Sequence, residues 1–403
     1  MSAGDIAWVL TSSALVLFMT PGLALFYGGM VRAKNVLNML MMNFFTISIV
    51  TVLWVIVGYS LIFGDSLGGI IGDFTHFGLS GVGGEDLLNA GFQLTFAIIT
   101  PALITGAVAE RMKFSAWVMF AALWAVFVYP FVGHWTWGDG GWFESLLGVG
   151  AADFAGGLVV HINAGVAALV LVRVLGIRRG FGREAIRPHS LPLTLLGTGI
   201  LWFGWFGFNA GSAFAADGVA INAWMTTQIG ASLGALGWVA AEWRKTGQPT
   251  TLGAASGAVA GLVAITPAAG YVGPLAAIVF GLAAGIICFA AVSLKFKYQY
   301  DDSLDVVGVH LVGGLVGSIL LGVLGEEIFL GDGVRGLIYG GADFFGAQII
   351  AVIATIIFSG VVSYIIARVV DATIGLRSTE QAEIEGLDIT LHEERGYVLF
   401  ETS

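Results

Sequence analysis

Of the six histidines in this chain, at 76, 134, 161, 189, 310 and 392, two stand inside long apolar stretches: His161 and His310. An imidazole exchanges a proton near neutral pH, and when neutral it offers one donor and one acceptor nitrogen. At membrane depth an ionisable group is costly and usually faces a cavity or a partner where it has a task. Either histidine alone could simply be bonded to a neighbouring carbonyl. Two at matching points of the chain point instead to a functional task at a cavity or a partner. Zinc would want three or four Cys, His or carboxylate ligands. No third His or Cys lies in a comparable position, so no metal is expected. No nucleophile–base set or cofactor motif appears either, so neither an enzyme nor a cofactor is expected. The other four histidines fall in predicted loops or the tail and read as solvated polar residues.

Aromatic residues make the second constellation. Phe92 and Phe96 are one turn apart and share a helix face. Trp205 and Phe208 lie in Gly204-Trp205-Phe206-Gly207-Phe208-Asn209-Ala210-Gly211-Ser212, and Trp137 lies in a predicted loop. At membrane edges such residues ordinarily serve as interface anchors. Asp153 opens an apolar run, where a carboxylate caps free N–H groups and suits the helix dipole; capping is preferred over direct contact with a solute. Glu110, in Ala109-Glu110-Arg111, reads as structural.

These residues are positioned by a chain built for lipid. Hydrophobic residues make up 57% and charged residues 11% of it, and the mean hydropathy is +0.90. A soluble domain carries roughly 25% charged residues. About 20 apolar residues span a bilayer core, and such runs fall at 6–30, 38–63, 91–110, 114–133, 152–175, 191–210, 219–243, 253–268, 273–294, 305–324 and 342–370. The expected fold is an all-α polytopic membrane protein of eleven helices. The N-terminus has no basic region or cleavage site, so the first run reads as a retained helix and not a signal peptide. With the lone Cys288, no intrachain disulfide can form.

The basic residues give an independent check. Sixteen of the 17, from Arg32 and Lys34 through Arg395, follow odd-numbered runs, and only Arg335 does not. Short cytoplasmic loops collect Lys and Arg, which sets the N-terminus outside and the C-terminus inside. Glycines at four-residue spacing, such as Gly253, Gly257 and Gly261, Gly281 and Gly285, or Gly313 and Gly317, predict close helix packing. The fifth run carries Asp153 and His161; the tenth carries Asp305 and His310. Runs five and ten occupy matching places in two inverted five-helix repeats, followed by a long eleventh helix, a plan that puts the substrate near the midplane.

The motifs together resemble the ammonium transporter family (Amt/Mep/Rh), and its prokaryotic Amt branch in particular. The similarity runs from Phe26-Tyr27-Gly28-Gly29 through Ala109-Glu110-Arg111, Asp153 to Gly157, Val160 to Gly165 and Gly204 to Ser212, to Gly308-Val309-His310. It implies transport of ammonium or ammonia, with methylammonium as an analogue, by a multi-pass homotrimer in a cell membrane, plasma or inner. By the same resemblance Trp137, Phe92 and Ser212 would recruit ammonium, with Asp153 supporting that site. Phe96 and Phe208 would be the stacked gate, His161 and His310 the hydrogen-bonded pore pair, and Trp205 the lower wall.

A cation over an aromatic face gains about 2 kcal/mol when desolvated, whereas stripping a small ion of its water costs on the order of tens of kcal/mol. Aromatics can thus recruit ammonium but cannot carry it bare. Ammonium, unlike potassium, can give up a proton; ammonia then passes, with the proton relayed by the histidines. The membrane domain is expected over 1–371 and a cytoplasmic tail over 372–403. That tail holds Glu380, Glu383, Glu385, Asp388, Glu393, Glu394 and Glu401 against Arg377 and Arg395, about half of the formal net charge of −10. A solvated terminus is the plain expectation. Gly375-Leu376-Arg377 and Glu385-Gly386-Leu387-Asp388 resemble the family's regulatory tail, which implies subunit coupling and a PII-type signalling protein as partner. No nucleic-acid partner is expected. An ammonium sensor and an electroneutral gas channel for ammonia or carbon dioxide remain the competing functions.

Overall fold

The computed structural model describes residues 1–331 and 333–397. Each of the eleven apolar runs is helical: α1 Ala3–Met30, α2 Ala33–Phe63, α3 Glu85–Val108, α4 Phe114–Trp137, α5 Gly157–Leu175, α6 Leu191–Gly211, α7 Gly218–Thr246, α8 Thr251–Ile265, α9 Pro274–Tyr298, α10 Val307–Leu324 and α11 Ala342–Thr373. Among the described residues nine of them are long and apolar enough to cross a membrane. The other two are α8, with 15 residues, and α7, which has the length at 29 residues but is less apolar. The chain is an all-α membrane protein. A two-stranded hairpin, Ser66–Leu67 with Ile71–Gly72, follows α2.

Glycines set how closely these helices approach. A Cβ added at Gly257 would lie 2.7 Å from the Gly234 carbonyl oxygen, and at Gly285, 2.6 Å from the Trp238 nitrogen, so α7, α8 and α9 pack backbone against backbone. Gly253, the first glycine of the expected ladder, faces the Glu242 carboxylate instead of a helix backbone.

Residues that follow the odd-numbered runs converge. Glu110 accepts from Arg32 and from Arg178, and Arg178 also pairs with Asp301 at 2.8 Å. Arg111, fully buried, donates to the carbonyls of Gly176 and Asp301. Burial pushes its guanidinium down to about 10, against the pull of Asp301, so it is charged at neutral pH. This bears on Glu110 as a structural residue: its φ of 70° and its ion pairs serve the junction of three loops.

The tail is docked over the same end, through α12 Glu380–Glu385 and α13 Leu387–His392. Leu376 and Leu387 are buried. Asp388 accepts from the backbone N–H groups of Leu37 and Asn38, serving as a cap for α2, whose own Asn35 side chain makes no capping bond. A solvated tail is therefore not what residues 374–392 form; Glu401 lies outside the described residues. Three histidines placed in loops or the tail also differ from the solvated reading. His134 is fully buried inside α4, between the Ile62 carbonyl and the Ser66 hydroxyl. His189 bonds the Val31 carbonyl at 2.8 Å, and His392 bonds Asn38 Oδ1 at 3.0 Å.

Candidate functional site

The two helices that carry His161 and His310 are built alike. Each has an aspartate eight residues before its histidine. Asp153 accepts from the N–H groups of Gly156, Gly157, Leu158 and Val159, at 2.6 to 3.1 Å. Asp302 accepts from Val306 and Val307. Asp302, not Asp305, is thus the counterpart of Asp153; Asp305 turns away and pairs with Lys295 at 2.6 Å. Each histidine then lies in a π-helical turn, Gly157–Ile162 or Val307–Leu311, a one-residue widening that re-aims side chains. One turn on from each histidine stands a glycine facing the other helix. A Cβ at Gly165 would sit 2.5 Å from the Leu311 nitrogen; one at Gly314 would sit 2.9 Å from Ile162 Cγ1 and 3.2 Å from His161 Cβ. The crossing of α5 and α10 is therefore close enough for the imidazoles to meet.

They meet at 3.3 Å, Nδ1 to Nδ1, with ring centroids 5.3 Å apart and planes 23° from parallel. Both are buried. An Nδ1···Nδ1 hydrogen bond needs one ring to donate and the other to accept, so in the neutral pair the two Nε2 atoms must differ, one bare and one protonated. His161 Nε2 is buried and has no hydrogen-bond partner among the described residues. Such an atom costs free energy unless a solute reaches it.

Above His161, Phe96 and Phe208 stack at 4.2 Å and 29°. Phe208 is 6.2 Å from the His161 ring, while Trp205 stacks on it at 5.5 Å and is pinned by its Nε1 donating to Thr266 Oγ1 at 2.8 Å. The space beside the histidines is lined by Met19, Leu23, Phe26, Leu103, Trp205 and Phe208 among others and measures about 10 Å³. That is room for about one water-sized molecule.

Outside the phenyl stack lies a vestibule of about 660 Å³, lined by Phe96, Trp137, Asp153 and Ser212 and by Tyr59, Asn89, Gln93, Phe154, Phe214 and Tyr271. Trp137 is the last residue of α4, not a loop residue; its ring meets Phe96 edge-on at 6.1 Å. Its Nε1 donates to the Asp153 carbonyl at 2.9 Å. The Ser212 hydroxyl donates to the Phe208 carbonyl at 2.8 Å, which leaves its oxygen lone pairs as acceptors. Phe92 does not reach the vestibule. It is fully buried one layer back, against Phe96 and Phe214. Phe214, held at a φ of 54°, is the ring on that side of the cavity. The sequence offered little signal for Phe214 or Tyr271, since each sits in an irregular segment after its helix.

A family model described as the Ammonium Transporter Family matches residues 7–397. The "Ammonium transporter Amt1" of Archaeoglobus fulgidus is 48% identical, over 98% of this chain and 100% of that protein. An "Ammonium transporter" of Mycobacterium tuberculosis is 50% identical, over 98% of this chain and 90% of its own. Among solved structures, Mep2 of Candida albicans superposes with a TM-score of 0.90 at 34% identity, covering 100% of this chain and 95% of that one. A "Sensor Amt Protein" superposes equally well, TM-score 0.90, at 27% identity, covering 96% of this chain and 98% of that one.

Proposed function

This chain belongs to the ammonium transporter family, and from that membership we propose a route by which it moves ammonium across a membrane. Ammonium enters the outer vestibule and is held between the Trp137 and Phe96 rings and the Ser212 oxygen. It passes the Phe96–Phe208 stack, gives its proton to the bare Nε2 of His161, and continues as ammonia along the apolar passage past Trp205 and His310. The proton moves separately: the Nδ1 proton of His161 passes to Nδ1 of His310, and the Nε2 proton of His310 leaves on the cytoplasmic side. Atoms and charge balance as one ammonia plus one proton for each ammonium taken up, and the tautomers are restored before the next cycle. Transport is then electrogenic.

The reading rests on the 3.3 Å histidine pair beneath the phenyl stack, with His161 Nε2 unpartnered beside a cavity of about 10 Å³. Cation–π attraction of about 2 kcal/mol cannot offset desolvation of a bare ion on the order of tens of kcal/mol, so an ion must shed charge to pass. Potassium cannot do so. The rest of the proposal is a homotrimer with one passage per subunit, eleven spans in two inverted repeats with the N-terminus outside, and a regulatory tail over 372–403 that meets a PII-type protein.

The test is His161→Ala and His310→Ala in proteoliposomes. Each should abolish the ammonium-driven current, and an unchanged current in either would refute the relay. Similarity to the "Sensor Amt Protein" favours a second reading, in which ammonium binding is reported and little is carried. Sustained methylammonium uptake by the wild type excludes it.

A further inference from the structure

On α11, more than 190 residues along the chain from the vestibule segment it touches, Gln348 is fully buried. Its Oε1 accepts from the Ala152 N–H at 2.9 Å and its Nε2 donates to the Ala152 carbonyl, also at 2.9 Å. The carboxamide thus mimics a strand partner and satisfies both backbone groups of one residue. That residue lies in the non-helical stretch between Gly150, with φ of 74°, and Gly156, with φ of 116°. The next residue, Asp153, does two things at once. Its carbonyl holds the Trp137 indole, and its carboxylate holds the start of the π-helical turn that carries His161. Phe154, which lines the vestibule, is fixed by its N–H to the Pro267 carbonyl.

We infer that Gln348 is a positioning residue for the ammonium-recruiting vestibule: through Ala152 it sets where Asp153 places Trp137. A buried hydrocarbon of the same length could fill the space, but it would leave the Ala152 N–H and C=O unpaired and free to turn. The Asp153 carbonyl and the Trp137 indole would then lose their register, while the Asp153 carboxylate, held by its four N–H groups, and the glycine crossing keep the histidine pair in place. The consequence is a change in solute affinity and not in the rate once loaded. The inference rests on the recruitment reading given above.

The test measures half-saturation and maximal rate of methylammonium uptake in wild type, Gln348→Leu, Trp137→Leu and the double variant. Gln348→Leu removes both bonds to Ala152 and should raise half-saturation about tenfold, with the maximal rate within about twofold. In the Trp137→Leu background it should add nothing. If Trp137→Leu raises half-saturation and Gln348→Leu does not, or if the two effects multiply, the inference is overturned while recruitment stands. If Trp137→Leu itself has no effect, the recruitment reading fails and the inference with it. Should Gln348→Leu not fold, Gln348→Glu decides. A protonated Glu can both donate and accept at Ala152; a carboxylate can only accept. Half-saturation relative to wild type should be near one at about pH 5.5 and raised several-fold at about pH 8.5. A ratio that stays flat with pH overturns the inference.

Discussion

At the residue scale, the site is set by a few buried polar atoms whose partners can be counted. Asp153 satisfies four backbone N–H groups and Asp302 two, in both cases just ahead of a helix whose first turn would otherwise leave them orphaned. Removing either carboxylate leaves buried donors without partners. Asp153→Ala should therefore lower stability by about 2–3 kcal/mol and Asp302→Ala by about 1–2 kcal/mol, read as thermal unfolding midpoints in detergent. Equal midpoints for the two variants would contradict the count. Sequence legibility differs between these two residues for a physical reason. Asp153 has no rival acid near it, and an aspartate at the head of an apolar run reads as a cap. Ahead of His310 stand Asp301, Asp302 and Asp305, and only backbone geometry separates an ion-pair partner from a cap. The histidines themselves were readable because a basic side chain in an apolar run has few harmless places to go.

At the element scale, what the sequence placed well was each apolar run and what it missed was each irregularity. The π-helical turns around His161 and His310 carry no composition signal, since a widened turn uses the same apolar residues as a regular one. The apolar run of α4 ends at 133, and Trp137 beyond it reads as a loop residue; Pro130, at the first turn of the segment Tyr129–Trp137, starts helix anew and carries Trp137 to its end. Phe92 and Phe96 share a face by spacing, yet only Phe96 reaches the cavity, because Phe214 folds back over Phe92. The glycine crossing gives a sharp contrast. Gly165→Val would drive α5 off α10, since even a Cβ meets Leu311 at 2.5 Å, whereas Gly199 on α6 has nothing within 4 Å. Gly165→Val should lose at least about 90% of methylammonium uptake, as overpacking shifts backbones, while Gly199→Val stays near wild type. Matching uptake rates in the two would remove the crossing as the device that pairs the histidines.

At the scale of the whole molecule, the basic residues that follow odd-numbered runs do gather. Arg32, Arg111 and Arg178 come from three separate connections and are knitted by Glu110 and Asp301, with the tail lying over α2 and the Ala109–Lys113 turn. Charge bias predicted that these loops share a side; it could not predict that they form one buried network, which depends on where carboxylates arrive in space. That network closes one end of the helix array, and the vestibule opens among the loops joining the other helix ends. Between them lies a space that fits about one small molecule beside two imidazoles. The central claim is that this molecule travels as ammonia while its proton takes the histidines. Its most direct test is to measure current and labelled methylammonium uptake together, in the same proteoliposomes, with potassium pulses as control. The account predicts one positive charge carried per methylammonium and no potassium current. Uptake without charge movement, or a current with potassium, would contradict it.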